Sequence, residues 1–195
     1  MIVTNIEQIG KDKFKINTDE GTTYILYKSE LKKYAVIENE EIDYLKIEEM
    51  LEKKAKKKVL DWLKFSDRTK EELMGKLYQA GYSKEIAEKA VAYADSYGYL
   101  DDQRYGRNYV EYKGKSKSKR QLEMELKNKG LSKEMIEQSL EECEYNEDEA
   151  LKKAFQKKIG TRQLEEMERE EKQKIAAYLL RKGFSFEKIR HILEL

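Results

Sequence analysis

The sequence predicts a mainly all-α protein, in which three tandem three-helix repeats form an elongated, curved array behind a small β-rich N-terminal unit. Most of the chain places apolar residues at helical spacing, and the whole chain lacks proline. One pattern of apolar positions recurs around three glycines, which indicates an internal repeat. The N-terminal residues differ, because there polar and apolar residues alternate with the period of a strand.

The β-rich unit is predicted over residues 1–45. The segments KFKIN (Lys13–Asn17) and TTYILY (Thr22–Tyr27) alternate polar with apolar or β-branched residues, which is typical of strands. The segment TDEG (Thr18–Gly21) lies between them and predicts a hairpin turn.

The first repeat is predicted over residues 46–98 and begins with a long amphipathic helix. Apolar residues fall on every fourth position of this helix, at Ile47, Leu51, Ala55, Val59 and Leu63. Its lysine-rich stretch, residues 53–58, is interpreted as a solvated face, with phosphate contact as the alternative. Thr69 with Glu72 predicts a capping box at the start of the second helix, and Ser83 predicts an N-cap for the third.

The repeat is defined by three glycines, of which Gly81 is predicted to end a helix and Gly130 and Gly183 stand at the corresponding positions. Serine lies two residues after each glycine, and four other positions around each are apolar or aromatic. These are Leu73, Leu77, Tyr82 and Val91; Leu122, Leu126, Leu131 and Leu140; and Ile175, Leu179, Phe184 and Leu193. Because the glycines lie roughly 50 residues apart, two further repeats are predicted over residues 99–145 and 146–195.

The segment Gly98–Arg120 joins the first two repeats. Asp101 or Asp102 can accept hydrogen bonds from the backbone N–H groups at a helix start. Tyr105 and Tyr109 fall on one face of the helix that follows and are predicted to pack into the repeat core. Two basic residues lie off that face, Arg104 and Arg107.

A run of alternating basic residues follows, which we call the lysine ladder: Lys113, Lys115, Lys117, Lys119 and Arg120. Glycine and serine occupy the positions between them, so the sequence predicts a flexible, strongly positive loop. Ser118 and Gln121 predict a second capping box, and therefore a helix whose N-terminal N–H groups face the same positive field. This combination favours contact with phosphate or with an acidic partner.

The sequence favours a non-catalytic protein with no cofactor and no metal. It contains one histidine and one cysteine, and Cys143 stands in an acidic run that would raise the pKa of its thiol. No phosphate-binding glycine-rich loop and no metal-ligand spacing occurs. The lone cysteine suits a reducing compartment, and no apolar stretch approaches membrane-spanning length, so a cytoplasmic protein without membrane contact is expected.

The sequence leaves two kinds of non-catalytic binding protein open as alternatives and argues against a third. A sequence-specific helix-turn-helix reader needs a basic second helix, but Ser132–Glu144 carries five acids against Lys133 alone. A general nucleic-acid-binding helical repeat protein would use the lysine ladder. A purely protein-binding helical scaffold would use the acidic run Glu141–Glu149.

In the segment Gly98–Arg120 and in the repeats beside it, the chain resembles the RecX family, bacterial modulators of the RecA recombinase. The segment GYLDDQRYGRNYV is similar to that family's most recognisable motif. Its motif residues here are Tyr99, Leu100, Asp101, Asp102 and Tyr105. Arg68–Ser83 and Gly114–Ser132 resemble the signatures of the family's first and second repeats, and the resemblance extends roughly from Val59 to Leu195.

The resemblance implies three three-helix repeats, binding to the RecA filament on single-stranded DNA, and inhibition of ATP hydrolysis and strand exchange. It also implies a role in recombination, DNA repair and the SOS response. We predict that the lysine ladder, with Arg104 and Arg107, contacts the filament, and that the protein acts as a monomer.

The chain departs from the family pattern in two places. Gly106 stands where the family commonly has alanine, which should destabilise an interior helix position by up to about 1 kcal/mol. The β-rich unit is absent from shorter family members, so the resemblance implies no role for it.

Overall fold

The computed structural model of the protein describes residues 1–194 and, at Glu166, the backbone alone. The chain folds into two compact units, Met1–Leu100 and Asp101–Leu195. Both are predominantly helical, and a three-stranded sheet lies at the N-terminus of the first. The predicted division into segments 1–45, 46–98, 99–145 and 146–195 stays a prediction.

The sheet of the first unit is antiparallel, in the order β1 (Val3–Gln8), β2 (Lys13–Thr18), β3 (Thr23–Tyr27). The predicted hairpin is β2–β3, and its turn contains Gly21 in the left-handed region, at φ 77°. Sequence patterning did not single out β1, because its register shifts between Val3 and Asn5 and the shift breaks the alternation. A short helix that was not predicted, α1 (Lys28–Lys33), follows the sheet.

The helices of the first repeat are α2 (Tyr44–Leu63), α3 (Lys70–Gln79) and α4 (Lys84–Ser96). Of the predicted apolar stripe of α2, four residues are buried and the fifth, Leu63, is partly buried and packs against the same core. The capping box of Thr69 with Glu72 is confirmed, and so is the N-cap of Ser83.

The second unit contains the other two repeats. Helices α5 (Asp102–Lys113), α6 (Lys119–Asn128) and α7 (Lys133–Glu142) form the second, with a single 3-10 turn, Gly114–Ser116, after α5. Helices α8 (Glu147–Ile159), α9 (Arg169–Arg181) and α10 (Phe186–Leu193) form the third, with a 3-10 turn, Leu164–Glu166, after α8. Three three-helix repeats behind a small sheet are therefore confirmed.

The three repeat glycines end α3, α6 and α9 in the same way. At Gly81 the φ angle is 89°, its N–H donates to the Tyr78 carbonyl, and the next N–H donates to the Leu77 carbonyl. Gly130 and Gly183 have φ angles of 87° and 86° and make the equivalent bonds. The apolar positions in register with these glycines are buried, except for the partly buried Tyr82. The shared pattern therefore encodes one helix–turn–helix packing that is used three times.

Gly106 has a different role from the one its helix propensity suggested. It is buried in α5 where that helix approaches α7. A Cβ atom at this position would lie 2.4 Å from Ser139 Oγ and 2.8 Å from Leu131 Cδ2. The absence of a side chain thus permits the close approach of the two helices. This packing offsets the helix-propensity cost that was predicted for glycine at this position.

Candidate functional site

The lysine ladder runs from the end of α5, through the 3-10 turn, to the start of α6. Four of its five residues are exposed, namely Lys113, Lys115, Lys119 and Arg120. Lys119 lies 3.9 Å from Glu123, and the other three have no ion-pair partner among the side chains that the structure describes. A dense and largely uncompensated positive surface results.

The backbone of the ladder is held in place, in contrast to the flexible loop that the sequence predicted. Gly114 is buried, and a Cβ atom on it would lie 3.3 Å from the ring of Tyr145. The Tyr145 hydroxyl donates a hydrogen bond of 2.7 Å to the Lys117 carbonyl. Burial, reinforced by Glu147 and Asp148, raises the pKa of Tyr145, so this hydroxyl keeps its proton. A residue nearly 30 positions along the chain, which no local pattern indicates, therefore fixes the turn.

Lys117 is the one ladder residue that faces inward. Its ammonium contacts the carboxylate of Glu125, which also accepts hydrogen bonds from the Tyr109 hydroxyl (2.6 Å) and the Gln121 amide (3.1 Å). Burial disfavours the charged form of Glu125, but these donors prevail and lower the pKa of the carboxyl below its usual value. Lys117 thus joins the turn to α6, and sequence reasoning did not anticipate Glu125.

Tyr105 and Tyr109 pack against the core of the second repeat, as predicted, and are partly buried. Their rings stack with centroids 6.2 Å apart, and the Lys129 ammonium lies 5.4 Å and 5.7 Å from the two centroids. Lys129 thus makes a cation–π contact with both rings of the tyrosine pair.

Of the remaining residues of the Gly-Tyr-Leu-Asp-Asp motif, Asp101 and Leu100 have structural roles. Asp101 is the N-cap of α5 and accepts a 2.8 Å hydrogen bond from the Arg104 N–H, while Asp102 lies in the first turn. Leu100 is buried in the core of the first unit, and Tyr99 is 53% exposed.

The two arginines of α5 differ in what they can contact. The Arg104 side chain is exposed, and it forms no ion pair with any side chain that the structure describes. Arg107 lies 3.2 Å from Glu142 on α7 and is partly buried, so its charge is already compensated. Of this pair, Arg104 is the better candidate for an external anion.

The N-terminus of α6 is occupied by groups of the protein itself. Ser118 Oγ accepts from the Gln121 N–H at 3.2 Å, and the Glu147 carboxylate accepts from the Lys119 N–H at 3.0 Å. The Gln121 side chain is directed to Glu125, so the N-cap is confirmed while the reciprocal half of the predicted capping box is wrong. The expectation of free N–H groups is corrected for Lys119 and Gln121, because the N–H of Lys119 donates to Glu147 and that of Gln121 donates to Ser118.

Ser118 also connects the second and third repeats. It is fully buried, and its hydroxyl donates a 2.6 Å hydrogen bond to the Lys182 carbonyl at the end of α9. A Cβ atom on Gly183 would lie 2.7 Å from the same oxygen. The small residues at these positions thus hold the ladder against the third repeat.

The lysine-rich stretch of α2 is mostly engaged in contacts within the first unit. Lys53 and Lys56 form ion pairs of 2.7 Å and 2.6 Å with Glu49 and Glu52, one turn earlier on the helix. Lys54 forms an ion pair with Glu30 and lies over the ring of Tyr27. These contacts support the interpretation of a solvated, self-paired face for this part of the helix.

Other kinds of site find no support among residues 1–194. Cys143 is partly buried, and burial raises the pKa of its thiol, with smaller contributions from Glu111 and Glu142. The direction agrees with the prediction, but burial and not the acidic run is the largest cause of the raised pKa. No group of three or more histidine, cysteine or acidic side chains there could hold a metal ion. None of the helices in this range is both long and apolar enough to span a membrane.

Comparison with known proteins identifies the repeats. Sequence models of the RecX first, second and third three-helix domains match residues 55–93, 101–140 and 146–193. The regulatory protein RecX of Clostridium acetobutylicum is 26% identical, across 98% of this chain and 94% of its own length. That of Bacillus licheniformis is 28% identical, across 94% of this chain and 72% of its own length.

Solved structures share the fold. A crystal structure of regulatory protein RecX superposes with a TM-score of 0.61 at 23% identity, covering 99% of this chain and 98% of that one. RecX from Lactobacillus salivarius gives a TM-score of 0.59 at 22% identity, covering 74% and 95%. The fold and these matches define a protein of tandem three-helix domains whose relatives are regulatory proteins. The chain belongs to the RecX family.

Proposed function

We propose that this protein is a non-catalytic, monomeric, cytoplasmic regulator that binds the RecA filament on single-stranded DNA and lowers its ATP hydrolysis and strand exchange. The exposed part of the lysine ladder is the observation that carries the proposal. Lys113, Lys115, Lys119 and Arg120 present four cations at the end of α5, in the turn and at the start of α6, and the Tyr145 hydroxyl holds the backbone between them. Family membership supports the regulatory role and the choice of filament as partner.

Electrostatics explains how such a surface would act. Cations that meet phosphates release condensed counterions, and this gives affinity without base recognition. A turn that is already fixed loses little conformational entropy on binding, so more of that gain appears as affinity. Acidic residues on the same unit, which include Glu141 and Glu144, offer a surface of opposite sign to the protein part of the filament. Binding to both components would hinder strand entry and the subunit movements that accompany hydrolysis.

The test is a titration into RecA, single-stranded DNA and ATP, in which hydrolysis, strand exchange and filament mass are followed together. The variant K113A/K115A/K119A/R120A should inhibit at higher concentration than the unchanged protein. Its affinity for single-stranded DNA should depend less on salt, because each lost phosphate contact removes roughly 0.7 from the slope of log affinity against log salt.

The matched control is K46A/K53A/K84A/K133A, which removes the same formal charge from lysines paired with carboxylates. It should inhibit as the unchanged protein does. Undiminished hydrolysis and strand exchange at saturating protein would refute the proposed function. Equal inhibition by the two variants would refute the role of the ladder, and binding to RecA without DNA at full affinity would favour a protein-binding scaffold.

A further inference from the structure

The C-terminal end of α2 carries a second surface of mixed aromatic and basic character, distinct from the lysine ladder. We call it the α2 aromatic patch and define it as Lys58, Trp62, Phe65 and Lys76. Trp62 is partly buried and packs against the core of the first unit, which anchors the patch. Lys58 belongs to the same helix, whereas Lys76 comes from α3.

Phe65 is the most solvent-exposed large apolar residue among residues 1–194, with 88% of its surface accessible. It follows the C-cap of α2, and its N–H donates a 3.2 Å hydrogen bond to the Trp62 carbonyl. Its backbone is therefore held at the helix end while the ring projects into solvent. Because the ring stays in water, it makes no hydrophobic contribution to the stability of the fold.

The two lysines of the patch are positioned by Trp62. The ammonium of Lys76 lies 4.8 Å from the centre of the indole ring, and that of Lys58 lies 5.9 Å from it. Neither lysine has an ion-pair partner in the described part of the chain. The nearby Asp61 is paired instead with Lys64, at 2.8 Å. Two positive charges without a carboxylate partner are thus held over Trp62, three residues before the exposed Phe65.

This combination matches the chemistry of a single nucleic-acid strand. Unpaired bases stack on exposed aromatic rings irrespective of their sequence, while the phosphates between them bind nearby cations. Bases in a duplex have their faces covered by neighbouring bases, so a projecting ring gives a preference for single strands. An acidic protein segment would satisfy the lysines but would leave the open ring without a planar partner.

We propose that the α2 aromatic patch binds single-stranded nucleic acid, with one base stacked on Phe65 and the adjacent phosphates on Lys58 and Lys76. The inference depends on the proposed function in one respect, which is that the bound strand is DNA. It adds a contact with the strand in the first unit, apart from the contacts of the lysine ladder. The binding is independent of base sequence.

The test uses Trp62, the only tryptophan of the chain, as a local reporter. Single-stranded oligothymidylate is titrated into the full-length protein without recombinase, and the tryptophan emission is recorded under excitation that tyrosine does not absorb. Labelled oligonucleotide anisotropy measures affinity in parallel. We expect a saturable change in emission, and we expect that change to persist in K113A/K115A/K119A/R120A.

Four variants identify the contacts. Phe65→Ala should weaken binding roughly fivefold or more, the loss associated with one base–aromatic stack, and Phe65→Tyr should restore it. K58A/K76A should lower the salt slope by about 1.4, for two phosphate contacts on a single strand. K84A/K89A removes the same charge from lysines of α4 that are paired with carboxylates, and it should leave the emission change intact.

The inference is overturned if saturating oligothymidylate leaves Trp62 emission unchanged, or if Phe65→Ala and K58A/K76A bind it as the unchanged protein does. Because Phe65 is exposed, its replacement leaves the core untouched, and circular dichroism checks that each variant is folded. Filament inhibition that survives all three substitutions would leave the proposed function standing without this strand contact. If the protein fails to inhibit the filament but still shows the change in Trp62 emission, the strand contact stands and the proposed function does not.

Discussion

At the scale of single residues, Gly106 decides how closely α5 and α7 approach. Its missing side chain leaves room for Ser139, whose hydroxyl donates to the Met135 carbonyl at 2.7 Å and accepts from the Gln103 amide at 3.3 Å. A new Cβ atom would therefore meet an oxygen that already has two partners in a fully buried position. The glycine and the serine form a pair whose sizes are mutually adjusted.

Gly106→Ala should lower the free energy of unfolding by about 1 kcal/mol, because overpacking of 1–3 kcal/mol outweighs a helix-propensity gain of up to 1 kcal/mol. In a Ser139→Ala background the same change should cost less by at least about 1 kcal/mol, since the hydroxyl oxygen is gone. Urea unfolding of the four proteins of this cycle provides the measurement. Gly75→Ala is the control, because a Cβ atom there meets nothing within 4 Å and should stabilise α3. An additive cycle would contradict the packing argument.

At the scale of elements, Glu125 joins α6 to α5 and to the turn between them. Its carboxylate receives Lys117 from the turn, Tyr109 from α5 and Gln121 from its own helix. Burial raises the pKa of Tyr109 to about 12, and the hydrogen bond and negative charge of this carboxylate contribute to the rise. The network is one reason why the ladder lies on a fixed turn, since Lys117 is held inside it.

The lowered pKa of Glu125 makes this junction sensitive to acid. Its stabilisation is fully present above the unfolded-state pKa of about 4.3 and is lost as the pH falls through the lower folded-state pKa. Glu125→Gln should therefore reduce the free energy of unfolding by roughly 1–2 kcal/mol at neutral pH, and by progressively less below pH 4. Urea unfolding at a series of pH values tests this. A pH-independent difference would contradict the linkage, and Glu141→Gln, an exposed carboxylate on α7, should show little effect at any pH.

At the scale of the whole molecule, the repeats could be predicted because each encodes its own helices and its own turn. Leu73, Gly81 and Ser83 carry that information within a few residues, and so do their counterparts in the other repeats. The contacts missed at the site are made between distant residues. Tyr145 on the Lys117 carbonyl and Glu147 on the start of α6 both depend on α8 packing beside the turn, which no local period reveals.

The elongated, curved arrangement of the three repeats remains a prediction. A compact globule of this chain length has a radius of gyration of about 16 Å. We expect small-angle scattering from the monomer to give a clearly larger value, because each repeat in such an array contacts only its neighbours. A value near that of the globule would refute the array while leaving the repeats themselves intact.

The fit between Gly106 and Ser139 also constrains the order in which the chain can change over evolutionary time. Alanine at position 106 is expected to destabilise the protein as long as Ser139 keeps its hydroxyl, because the added Cβ atom would lie 2.4 Å from Ser139 Oγ. A lineage that first loses the hydroxyl could accept the alanine at little cost. Homologues with alanine at the first position should therefore carry alanine or glycine, and not serine in this rotamer, at the second.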